Sequence, residues 1–326
     1  VSVLALSGIC LLFMDLEPMW QLGVATVGVS TAAALYFQFL AVTYRGTQTF
    51  QRLSIANGLQ AVVAIGSVPM VLFWGFEGLC ARIAILSLCW LGLLYPGRPV
   101  RVRSGWDWSA VRQLFAAGGP TCALGYLIIV AYGFDRVLLL EAGGVLLVGL
   151  YAPAGAAKVG LAAVPNAINA YLSSKMSHRL GQTQDPRALW SLIWKGVVGT
   201  TAVMIPLVLA GWWIMPWLIE VVFPKYAEGS AAAQLICLSG LFLGYRASTC
   251  VLSTLKAWWE FSILNVLTLL LLWLLPWYFA HHSEEGPLYG IALGWVCACA
   301  LLFPISLCLM YSATHRRSSG PAEGVS

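Results

Sequence analysis

Charge is what this chain has least of. Its 326 residues include only 18 lysines and arginines and 13 aspartates and glutamates, while 60% of the residues are hydrophobic. An average soluble domain is about 25% charged, and a share of 10% cannot keep a folded surface wet, which excludes an ordinary water-soluble fold. Paired cysteine motifs are missing as well. Cys10, Cys80, Cys89, Cys122, Cys237, Cys250, Cys297, Cys299 and Cys308 are scattered through apolar runs with neither CxxC nor a zinc-like or disulfide-like spacing. They read as small packing residues, and a metal or disulfide framework is not expected. A net charge of +5 is too small to mark a nucleic-acid partner.

Long apolar runs are what the chain has in abundance. A helix needs roughly 20 apolar residues to cross the hydrocarbon, and about ten candidate spans meet or approach that length: 1–14, 19–42, 53–75, 78–95, 121–141, 146–172, 193–222, 231–255, 261–280 and 288–312. The sequence predicts an all-α, multi-pass integral membrane protein. The first run starts at Val1 with no basic segment ahead of it, and "DLEPMW" (15–20) looks like a turn rather than a small-residue cleavage site. It is therefore read as a helix of a truncated lobe and not as a signal peptide.

The loops sort by charge. Arg45, Arg52, Arg98, Arg101, Arg103, Arg112, Lys175, Arg179, Arg187, Lys195, Lys256, Arg316 and Arg317 fall on one side of the alternating spans. Asp15, Glu17, Glu77, Glu141, Glu220, Glu228, Glu284 and Glu285 fall on the other, with Lys225 the basic exception. Positive loops stay inside, so the first set is expected to be cytoplasmic. The acidic loops are short, which leaves a membrane enzyme no outer domain on which to present acid and base groups. The pair of histidines and glutamates in "HHSEEG" (281–286) has no third ligand at good spacing and reads as a solvated loop.

A Pro/Gly-rich and basic linker, "YPGRPVRVRSGWDWSAVRQLFAAGGP" (95–120), divides the chain. The expected organisation is an N-terminal lobe over 1–95, a cytoplasmic linker over 96–120, a six-helix C-terminal lobe over 121–312 and a tail over 313–326. Within the linker, 109–116 is expected to form a short interfacial helix ending at Gly118, Gly119 and Pro120. "FQRLSIAN" (50–57) and "WWEFSILN" (258–265) share Ser-Ile-x-Asn at an offset of 208, each opening a span from the same side. Equivalent helices in parallel repeats would produce this echo, so two pseudo-symmetric lobes are expected, the first lacking its first two helices.

Several stretches carry a family likeness. "LFAAGGP" (114–120), "FDRVLLLEAGGVLLVGLYAPAGAAKVGLAAVPNAI" (134–168) and "KMSHRLGQ" (175–182) resemble the start of the second lobe in polysaccharide exporters of the oligosaccharide-lipid flippase type. These belong to the multidrug/oligosaccharidyl-lipid/polysaccharide exporter superfamily, which also contains multidrug and toxin extrusion pumps. "VVFPKYAEGS" (221–230) resembles the outward loop after the family's ninth helix, and "YRGTQTFQRLSIANGL" (44–59) the loop between its fourth and fifth. The resemblance covers about 24–280. It implies a bacterial inner-membrane transporter that flips a polyprenyl-diphosphate-linked oligosaccharide, and therefore a lipid-linked glycan and the bilayer as partners, with the polymerase and glycosyltransferases of the same pathway. It implies no cofactor and no enzymatic activity, with a proton or sodium gradient as the driving force. A cation-coupled drug pump and a membrane polymerase or glycosyltransferase are the competing readings.

Charges within the spans bear on that choice. A charge at mid-bilayer costs about 2.5–3.5 kcal/mol on insertion scales and usually faces a bundle interior or a cavity. Arg82 lies close enough to Glu77 and the outer surface to snorkel. Lys158 and Arg246 lie near mid-span, and Asp135 and Arg136 about two-thirds of the way towards the outer face. Four cations against one anion favour an anionic substrate, because a cavity for cationic drugs needs carboxylates. Adjacent helical residues point about 100° apart, so Asp135 is expected to pair with Lys158 or Arg246 on another helix, leaving Arg136 free. Arg136, Lys158 and Arg246 are the candidate diphosphate ligands, and Asp135 is the candidate coupling site. The bland alternative is a buried ion pair that merely orients helices.

Overall fold

The computed structural model describes residues 17–47, 49–99, 107–183 and 189–316, and the span expected at 1–14 lies outside them. Among the described residues every regular element is helical: α1 (Pro18–Gly46), α2 (Phe50–Gly66), α3 (Val68–Leu94), α4 (Trp108–Leu150), α5 (Ala152–Thr183), α6 (Trp190–Val222), a 3-10 turn (Pro224–Gly229), α7 (Ser230–Ser239), a second 3-10 turn (Gly240–Tyr245), α8 (Arg246–Thr254), α9 (Trp258–His282) and α10 (Pro287–Arg316). Seven stretches among them are long and apolar enough to cross a membrane. Two expected spans are not among the seven for simple reasons. The run at 53–75 is divided at Ser67, and α5, with 32 residues, carries Lys158, Asn166, Asn169 and Lys175. The chain divides into two compact units, 1–106 and 107–326.

In the first unit the chain reverses at Gly75. Its φ of 53° and ψ of −124° break α3 into two helical arms, and a side chain there would strain the backbone. The arm beyond Gly75 then runs back along α2. Trp90 Nε1 donates to Asn57 Oδ1 at 3.2 Å, Arg82 Nη2 to the Ala64 carbonyl at 3.2 Å, and Arg52 Nη1 to the Gly97 carbonyl at 3.4 Å. Arg82, expected to snorkel, is half-buried and reaches the last turn of α2. The helical ladder is interrupted at Ser67, and the nearby Ala64 carbonyl takes bonds from Ser67 Oγ and Arg82 instead. A small core closes the other end, where Phe37 stacks on Trp90 at 3.8 Å and the buried Tyr44 hydroxyl donates to the Leu94 carbonyl at 2.9 Å.

The second unit starts at Asp107, whose carboxylate caps α4 by accepting from Ser109 N at 2.9 Å. No separate interfacial helix ends at Gly118, Gly119 and Pro120: α4 runs through all three to a break at Gly143 and Gly144. A proline removes one ladder bond, whereas ending the helix would strip several carbonyls of partners inside an apolar segment. At Gly144, φ 70° and ψ −163° break the helix, and beyond the break α5 brings Lys158 back to Tyr132 and Asp135. Leu139, Met176, Ile193, Met204, Ile236, Leu252, Leu272, Trp295 and Met310, contributed by α4 to α10, form one buried core. The Ser-Ile-x-Asn echo falls on the second turns of α2 and α9, which open helical hairpins reversing at the positive-φ glycines Gly75 and Gly286.

Candidate functional site

The reversal at Gly144 puts Asp135 and Lys158 face to face, about 14 Å and 21 Å along their arms from the turn, well within a hydrocarbon layer of about 30 Å. Lys158 Nζ lies 2.5 Å from Asp135 Oδ2, which is the only ion pair among the described residues. The Asp135 side chain is 3% exposed. Its other oxygen, Oδ1, accepts the Arg136 backbone N–H at 2.9 Å, so both carboxylate oxygens are engaged. Lys158 is held on two further sides. Its ammonium donates to the Tyr132 carbonyl at 3.1 Å and sits 3.7 Å from the ring centre of Trp295, a buried residue of α10.

Arg246 approaches from the seam between the second 3-10 turn and α8. Its Nη1 donates to Asn166 Oδ1 at 3.1 Å, and the guanidinium lies 4.7 Å from the ring centre of Tyr132. The Tyr132 and Tyr245 hydroxyls bond each other at 2.6 Å, which fixes the face that Tyr132 turns to the guanidinium. The buried Nε of Arg246 has no hydrogen-bond partner. Arg136 is exposed, and among the described residues its guanidinium makes no ion pair.

All four charged groups line one cavity of about 400 Å³, together with Tyr132, Asn166 and the small residues Gly155 and Ala162. Sequence reasoning left open whether Asp135 pairs with Lys158 or Arg246, and the geometry selects Lys158. It missed Tyr132, Asn166, Tyr245 and Trp295 altogether. Trp295 offered a signal, since it sits well inside an apolar run rather than at a membrane interface where tryptophans collect. Among the described residues no three of His, Cys, Asp and Glu converge on a metal-sized site. The solvated loop expected at 281–286 is corrected for its two histidines: His281 and His282 form the last turn of α9, where each brings Nδ1 to 2.8 Å from a carbonyl one turn earlier, Trp277 and Tyr278 respectively.

No protein-family model matches the sequence, and no curated relative does. Solved structures do match. A MATE transporter in complex with MaL6 superposes with a TM-score of 0.67 at 13% identity, over 96% of this chain and 76% of that one. The Vibrio cholerae MATE transporter VcmN in its bent form gives 0.64 at 14% identity, over 96% and 77%. The fold is that of the MATE transporters. A third match, to an outward-facing multidrug resistance MATE transporter of the MOP superfamily, gives 0.61 at 13% identity over 97% of this chain and 78% of that one. The MATE likeness concerns the course of the chain through its helices.

Proposed function

We propose that this chain is part of a transporter that moves a polyprenyl-diphosphate-linked oligosaccharide across the bacterial inner membrane by alternating access, without covalent chemistry. The observation that carries this reading is the charge of the cavity. Asp135 and Lys158 cancel each other, and Arg136 and Arg246 remain as uncompensated cations in the same space. Two guanidinium groups suit the paired phosphates of a lipid diphosphate, to which they donate in bidentate fashion. A diphosphate drawn through hydrocarbon without such partners would meet a barrier of several kcal/mol per charge. Its lipid tail stays in the bilayer, its glycan is built and extended by glycosyltransferases and a polymerase, and Asp135 couples the cycle to a proton or sodium gradient.

A second reading, a cation-coupled multidrug pump, is favoured by the MATE fold. It requires Asp135 to face a cationic drug, yet that carboxylate is already neutralised by Lys158 and flanked by two arginines. Reconstituted vesicles separate the two readings. The full chain should flip a fluorescent isoprenyl-diphosphate-linked sugar and should not accumulate ethidium. Arg246→Ala should abolish flipping at normal membrane level, while Lys158→Arg should keep partial activity because charge survives and donor geometry changes. Ethidium transport together with an unaffected Arg246→Ala variant would establish the pump instead.

A further inference from the structure

A second cavity, of about 330 Å³, lies wholly within the first unit, between the start of α2 and the end of α3. Its walls are layered. Ile55 and Leu59, one turn apart on α2, and Leu93 on the facing arm of α3 form an apolar wall, and all three are exposed. Arg52 stands one turn nearer the helix end, beside Pro96 and Gly97.

Arg52 occupies a position its own helix disfavours. It lies in the first turn of α2, where the helix dipole is positive and an anion is the favoured neighbour. Its Nη1 donates to the Gly97 carbonyl over a long 3.4 Å, and among the described residues it has no ion pair. A guanidinium has five N–H donors, so most of its donors remain for an anion. Gly97 permits this arrangement, since a Cβ there would collide with Arg52 Nη1 and stand 3.1 Å from the Tyr44 hydroxyl. Arg45 and Arg98 add positive charge at the same end, Arg45 from the last turn of α1 and Arg98 with its guanidinium 4.7 Å from the ring centre of Tyr95. The two carboxylates among the described residues of this unit are far away. Glu17 precedes α1 and Glu77 follows the reversal at Gly75, both at the opposite end of the helices.

We propose that this cavity docks an anionic phospholipid of the leaflet at the arginine-bearing end, the cytoplasmic leaflet by the positive-inside sorting, with its phosphate on Arg52 and one acyl chain along Ile55, Leu59 and Leu93. The layering is that of a lipid. Charge stands at one level, and the apolar wall extends from it for about 10 Å, the rise from Arg52 to Leu59. A phosphodiester carries a single negative charge and accepts a guanidinium in bidentate fashion. A zwitterionic headgroup brings its own cation to the phosphate and gains less from Arg52. A lipid diphosphate needs a second cation on the same phosphate pair, and Arg98 is turned onto Tyr95 instead. The bound lipid bridges α2 and the end of α3, where the protein itself supplies the long Arg52 bond. This inference depends on the chain crossing a membrane and not on the substrate proposed above.

The test is native mass spectrometry of the full chain released from detergent micelles, after titration with phosphatidylglycerol or phosphatidylcholine of identical acyl chains. Wild type should bind its first phosphatidylglycerol roughly tenfold more tightly than phosphatidylcholine. Arg52→Gln should lose that preference, and Arg52→Lys should keep part of it, because charge survives without the fork. Arg112→Gln, which removes a basic residue of α4, should keep all of it. Should Arg52→Gln fail to fold, Gly97→Ala keeps the guanidinium but pushes it aside, and the preference should still fall several-fold. Inorganic phosphate should not displace the lipid. Equal affinity for the two lipids, or a preference that survives intact in Arg52→Gln or Gly97→Ala, overturns the inference. Displacement by inorganic phosphate would leave an anion site with no use for the apolar wall, and displacement by an equal concentration of a farnesyl-diphosphate-linked sugar would make it a cargo site. A dimer that forms in wild type and dissociates in Arg52→Gln would mean that a second copy covers the cavity. Each of these three results also overturns the phospholipid.

Discussion

Both α9–α10 and α4–α5 belong to the second unit, and both hairpins reverse at a glycine with positive φ, Gly286 at 94° and Gly144 at 70°, yet their arms meet on opposite terms. α9 and α10 touch backbone to backbone. A Cβ at Gly290 would collide with the Phe279 carbonyl, and one at Gly294 with the backbone of Pro276. In α4 and α5 the facing groups are instead Tyr132, Asp135, Lys158 and Asn166, and a cavity of about 400 Å³ lies against them. Between apolar helices in a membrane, close contact comes from small residues and dispersion. Long charged side chains hold helices at arm's length and leave room for a ligand. One hairpin is therefore scaffold and the other is site.

The comparison breaks most visibly under matched glycine substitutions. Gly294→Leu sets a side chain against the Pro276 backbone, which cannot yield. Overpacking in a close-packed core typically costs about 1–3 kcal/mol, and with backbone as the obstacle the variant should fail to give a monodisperse protein in size-exclusion chromatography. Gly155→Leu has open space within 4 Å of its new Cβ. It should purify normally and lose binding of the isoprenyl-diphosphate-linked sugar, because Gly155 lines the cavity. Equal loss of folded protein in both variants would erase the distinction between scaffold and site.

A smaller effect is expected from the ion pair. Lys158→Met leaves Asp135 charged and buried without its cation, at a cost of about 3 kcal/mol, whereas adding Asp135→Asn should recover most of it. Thermal unfolding in detergent measures both, and a double variant no more stable than the single would mean that the pair does not act as a unit. Smaller still is Tyr132→Phe. It removes the hydroxyl that bonds Tyr245 and leaves a buried partner unsatisfied, for about 1–2 kcal/mol, while keeping the ring face against Arg246. Affinity for the isoprenyl-diphosphate-linked sugar should change little in this variant.

The run lengths and the scarcity of charge were enough to read a multi-pass helical protein, because a bilayer demands long apolar helices whatever their arrangement. Glycine pairs and prolines were poorer guides. Gly143 and Gly144 do end an arm, but Gly118, Gly119 and Pro120 do not, since the local cost of these residues is small beside the cost of unpaired backbone in an apolar segment. The charged site residues stood out for the same reason that the helices did: any charge inside an apolar run is conspicuous. Their partners were invisible, because tyrosine, asparagine and tryptophan are ordinary in membrane helices and only become ligands of Lys158 and Arg246 through contacts between residues as distant as 166 and 246 or 158 and 295. What the sequence determined alone was that this chain crosses a membrane and carries a few charges within it. Only the tertiary structure decided that Lys158 is committed to Asp135 while Arg136 and Arg246 are not, because pairing depends on which helix faces reach within a few ångströms, and helix packing settles that.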